Sequence, residues 1–95
     1  MGYFVGEIGK VLVVNTNINT TSSSIRQIRY WKPDGTSGYW SAEIYGTTSI
    51  MYRTINSSDL DISGIWKVQS YIEDSDGKFK GEIAHILVGK DIPQI

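Results

Sequence analysis

The sequence predicts an all-β protein folded as an antiparallel sandwich or small barrel, and three observations carry that prediction. Hydrophobic residues recur with period two almost everywhere, in stretches rich in β-branched and aromatic side chains. No window sustains the helical i, i+3, i+4, i+7 repeat over two turns. Residues with turn chemistry interrupt the pattern at short spacing, which leaves room for five or six main strands and no helix.

The first expected strand covers 8–15, centred on Val11, Leu12, Val13 and Val14, a continuous apolar run that hides which parity faces inward. Residues 15–24 are polar, with Ile18 alone to pin the loop to the core. A second strand runs over 25–32 and stops at Lys32, Pro33, Asp34 and Gly35, where Pro presets φ and Gly accepts a positive one. The third, 39–45, turns Trp40, Ala42 and Ile44 inward against Ser41, Glu43 and Tyr45. After the break at Gly46, Thr47 and Thr48, residues 49–55 place Ile50, Tyr52 and Thr54 on one side. A polar corner bearing Leu60 and Ile62 leads to a strand at 65–73, in which Trp66, Val68, Ser70 and Ile72 oppose Lys67, Gln69, Tyr71 and Glu73. Asp74, Ser75, Asp76 and Gly77 have the composition of a hairpin turn, and a last strand covers 78–88 with a bend at Gly81.

Ninety-five residues suffice for one domain, expected to span 1–95 with its core in 8–88. The absence of cysteine excludes a disulfide framework, a thiolate metal site and a cysteine nucleophile. No apolar run reaches the ~20 residues of a membrane helix, and the first residues lack signal-peptide blocks. The net charge of −1 divides into +3 over 1–33, −5 over 34–76 and +1 over the remainder. No segment is basic enough to track phosphates, so neither nucleic acid nor membrane is expected as a partner.

Catalytic chemistry finds little material. His85 is the only histidine, and no Gly-x-Ser-x-Gly elbow is present to expose a serine. Asp59 with Asp61, and Glu73 with Asp74 and Asp76, invite a calcium reading, but Asp and Gly are also what tight turns require. No metal or other cofactor is expected. The excess lies in aromatics, three Trp and six Tyr. If Ile28 and Tyr30 point inward, Arg29 and Trp31 point outward, and the same parity argument turns Tyr39, Tyr45 and Tyr71 to solvent. Arg29, Trp31, Tyr39 and Tyr71 are therefore the candidate interaction surface, with the polar loop 16–24 beside them. Such rings bind a protein partner or stack on sugars, or else cover cross-strand neighbours.

The stretch Asp59-Leu60-Asp61-Ile62-Ser63-Gly64-Ile65-Trp66 resembles the corner that enters strand F of an immunoglobulin-like domain. Trp66 stands where Tyr is usual there, and Val68 where the second disulfide cysteine would be. Together with Lys32 to Thr36, Trp40 with Ala42, Ile50 with Tyr52 and Thr54, and Trp66 to Gln69, the order of features is similar to short phage and prophage proteins encoded among tail and other virion genes. The resemblance covers roughly 8–88 and carries no catalytic or ligand residue. It implies an immunoglobulin-like antiparallel β-sandwich of about six to seven strands without a disulfide. It further implies a non-catalytic structural or interaction module of a virion, a tail or baseplate for example, located in the particle or the bacterial cytoplasm. The expected partners are virion or host-surface proteins, or a second copy of the chain. The alternative is a carbohydrate-binding module that uses exposed aromatics such as Trp31 on glycans.

Overall fold

Alternating side chains need a sheet with one dry face, and in the computed structural model, which describes residues 3–90, two sheets supply it to each other. The described residues form nine strands and no helix: β1 (Tyr3–Phe4), β2 (Val11–Asn15), β3 (Ile25–Trp31), β4 (Ser37–Ser41), β5 (Glu43–Tyr45), β6 (Ser49–Arg53), β7 (Gly64–Asp74), β8 (Gly77–Lys80) and β9 (Ala84–Gly89). The larger sheet has the order β1-β9-β7-β3-β4, with β8 also beside β7, and the smaller is β2-β6-β5. All pairs are antiparallel except β1 with β9. The outermost residues of the expected 1–95 span, 1–2 and 91–95, lie outside the described residues.

β7 is the spine. Its inward parity is the expected one: Trp66, Val68, Ser70 and Ile72 are all buried. They meet Ile28 and Trp40 from the same sheet and Leu12 and Ile50 from the other, with Leu60 of the corner closing one end. Aromatic rings fill the centre: Trp40 lies parallel to Tyr52 at 5.0 Å and to Trp66 at 6.1 Å, and Tyr30 tilts against both tryptophans. Val68 is packed in this apolar interior.

Three expected strands change. The run 39–45 is two strands, because the chain leaves the larger sheet at the buried Ala42, whose N–H still donates to the Arg26 carbonyl at 2.9 Å, and then pairs with β6. Ile44, expected inward, is partly exposed because β5 is the edge of the smaller sheet. The run 8–15 begins only at Val11. Before it, the chain turns through Glu7, whose Oε1 accepts from the Phe4 amide at 2.7 Å, leaving Ile8 in solvent. The run 78–88 is split into β8 and β9, both alongside β7, by a bulge that sets residues 81–83 opposite Gln69 and Ser70. Gly81 is the bend expected there: its N–H donates to the Ser70 carbonyl at 3.1 Å, and a Cβ would overlap Ser70 Oγ.

The turn after β3 and the corner before β7 lean on one another. Lys32 N–H donates to Thr36 O and Gly35 N–H to Lys32 O, closing the turn, while Pro33 packs so near Gly64 that a Cβ would sit 2.7 Å from its Cγ. Gly64 also has φ 131°, open only to glycine. Two residues on, Trp66 Nε1 donates to the Ile62 carbonyl at 2.8 Å and ties the corner to the core.

Candidate interaction surface

The outward face of the larger sheet is built in rows fixed by register. Arg29 lies between Tyr39 and Gln69; Trp31 lies between Ser37 and Lys67, with His85 beyond Lys67. One row further along, Ile65 lies opposite Leu87. Trp31 and Tyr39, both expected outward, are 54% and 56% exposed, and Ile65 and Leu87 on the same face are 59% and 63% exposed. Lys67 Nζ stands 5.1 Å from the Trp31 ring centre. Arg29, Trp31, Ser37, Lys67, Gln69 and Ile83 border a solvent-open depression of about 380 Å³.

Tyr71 requires a correction. It shares this face, but only 6% of it is exposed, because the Arg29 guanidinium lies 3.8 Å from its ring centre and covers it. Its hydroxyl donates to Glu73 Oε2 at 2.6 Å. That hydrogen bond, then burial and the Glu73 charge, push the phenol up from its ordinary value, while Arg29 pulls the other way. Arg29 and Tyr71 thus form a fixed pedestal, and the free rings are Trp31 and Tyr39. Tyr45 is exposed on the smaller sheet, away from them.

The acidic clusters are spent on structure. Asp59 Oδ2 accepts from the Ile55 and Asn56 amides at 2.8 and 3.1 Å and from the Tyr52 hydroxyl at 2.7 Å. Burial disfavours its charge, but these hydrogen bonds prevail and hold its carboxyl below the usual range. Asp61 pairs with Lys32 Nζ at 2.9 Å, and Asp74 Oδ1 accepts from the amides of Asp76 and Gly77. In the Lys32 turn, Asp34 accepts from the Thr36 hydroxyl and amide, which lower its pKa. Among the described residues no three His, Cys, Asp or Glu side chains converge on a cation site. The exposed His85 stands beside Lys67, the opposite of the acidic orienter that a general base requires.

Parity of β7 already placed Ile65 with Lys67 on the outer face, so that residue was within reach of the sequence. Leu87 was not, because the extra residue in the bulge shifts the parity of everything after it. Comparison with protein-family models, with curated proteins and with solved structures finds no match. Among the described residues, no helix is long and apolar enough to cross a membrane.

Proposed function

We propose that the chain is a non-catalytic interaction module that holds a protein partner on the outer face of its larger sheet. One observation carries this reading: Trp31, Tyr39, Ile65 and Leu87 are each more than half exposed on a single face, set among Arg29, Lys67 and Gln69 in adjoining rows, an excess of large exposed apolar side chains on one sheet face. Arg29 among them belongs, with Trp and Tyr, to the residue types enriched at protein interfaces. The sequence resemblance suggests an immunoglobulin-like module of a phage or prophage virion, with the partner a virion or host-surface protein. The corner in which Trp66 Nε1 donates to the Ile62 carbonyl, four residues upstream, favours that fold reading. Binding of the partner to the purified chain should weaken by about tenfold or more on Trp31→Ala, as expected for a central aromatic anchor.

The depression beside Trp31 favours a second reading, stacking of a sugar ring with Arg29, Gln69 and Ser37 as hydrogen-bonding neighbours. A glycan array separates the two. Binding of an oligosaccharide that Trp31→Ala abolishes selects the carbohydrate reading, and a flat array selects the protein partner.

A further inference from the structure

The two sheets differ in width. β3 and β7 of the larger sheet face β6 and β2 of the smaller, so β9 and β1 extend beyond the β2 edge. The inner face of β9 is consequently covered only in part: Val88 is buried, Ile86 is half-buried and Ala84 is exposed. Between β2 and β9 lies a groove of about 300 Å³ bordered by Leu12, Val14, Val68, Ala84 and Ile86.

β2 forms the wall of this groove with an open backbone edge. The amide-to-carbonyl bonds from Thr54 to Lys10 and from Thr16 to Thr48 set the alternation of its ladder with β6, which directs the N–H and C=O of Val11, Val13 and Asn15 away from β6. The Val11 carbonyl is met by the Tyr3 hydroxyl at 3.3 Å, in keeping with that direction. Neither backbone group of Val13 has a partner outside the β2–β6 ladder among the described residues. No charge and no proline guards this five-residue strand, although such residues are the common means of blocking an edge.

We propose that this edge receives one extended segment of a partner protein as a fourth strand of the smaller sheet. The segment would bond to Val13 and set alternate apolar side chains against Ala84 and Ile86. The overhang of β9 and β1 selects the occupant. A strand adds at about 4.8 Å from its neighbour, and a second sandwich brought to that distance would drive its own larger sheet into this one, whereas a single strand lies over β9 without conflict. Among the described residues, Glu82 is the one charged residue bordering the groove, so the segment carries a Lys or Arg at that end. This contact lies on the opposite side of the larger sheet from Trp31 and is independent of the outer-face reading.

The test is amide hydrogen exchange of the full chain with two synthetic hexapeptides that alternate Val and Thr, one with Lys first and one with Lys last. One of them should slow exchange at Val13 on the order of tenfold, while a peptide of the same composition without alternation should not. Val13→Pro removes an N–H that points away from β6 and should abolish the slowing that the peptide also produces at the outward amides of Val11 and Asn15, with the dichroism spectrum unchanged. Glu82→Lys should transfer the preference to a peptide with Glu in place of Lys, and Trp31→Ala should leave binding unchanged. Three results would overturn the proposal: no slowing with either peptide, equal slowing by the non-alternating control, or slowing without peptide that grows with protein concentration.

Discussion

Tyr52 and Asp59 hold the corner before β7, and their titrations give it a signature. Burial, then the hydrogen bond to Asp59 and its charge, push Tyr52 up to about 12 from an ordinary 10. A phenol raised in the folded state contributes stability that is complete below pH 10 and lost as the pH climbs through about 12. Asp59 behaves oppositely: its share is complete above the ordinary aspartate value near ~3.9 and lost as pH falls through its lowered one. Tyr52→Phe keeps the ring stacked on Trp40 while removing the link to Asp59. Urea unfolding between pH 10 and 12 should show a shallower loss of stability in the variant than in the parent. Tyr3 and Tyr71, also raised, remain in both proteins, so equal slopes would contradict this role for Tyr52. The same scale limits what a sequence discloses. Strand alternation turned Trp31 and Tyr39 outward as observed, but whether Tyr71 is free depends on the reach of Arg29 from a neighbouring strand, which no parity contains.

At the scale of elements, the parity of β7 and the Lys32 turn were legible because each follows from local chemistry: alternation over 66–73, and Pro and Gly at fixed turn positions. The sheet switch was not. Alternation runs unbroken through Trp40, Ala42 and Ile44, and period two says nothing about which strand lies alongside. β1 is two residues long, too short for any period. The bulge between β8 and β9 is the element with the most direct test. Gly81→Ala forces a Cβ onto Ser70 Oγ in the core and should lower stability by about 1–3 kcal/mol, as overpacking does. Ser70 Oγ is buried and makes no hydrogen bond among the described residues. Ser70→Ala should therefore be neutral or stabilising, and combined with Gly81→Ala should recover part of the loss. Chemical denaturation of the three variants measures this, and additive effects would show that the two residues do not touch.

For the whole molecule, one core serves both sheets and the aromatic stack is its middle. Trp66→Ala removes a fully buried ring and its bond to the Ile62 carbonyl, a loss of about 3–5 kcal/mol from a domain whose total is of order 5–15. Trp31→Ala, on the outer face, should change stability by no more than about 0.5 kcal/mol. Two tryptophans of one chain thus divide between folding and surface, and denaturation curves of the two variants should differ accordingly. The proposed function needs the surface half to bind a partner. For the proposed virion role, the measurement is mass spectrometry of phage particles purified from the source organism, with a photo-reactive residue placed at Trp31, Tyr39 or Leu87 and, as control, at the exposed Arg53 of β6. The chain should be present in intact particles, with cross-links to one virion protein from the first three positions but not from the control. Absence from the particles, or cross-links as frequent from Arg53 as from Trp31, would contradict that role.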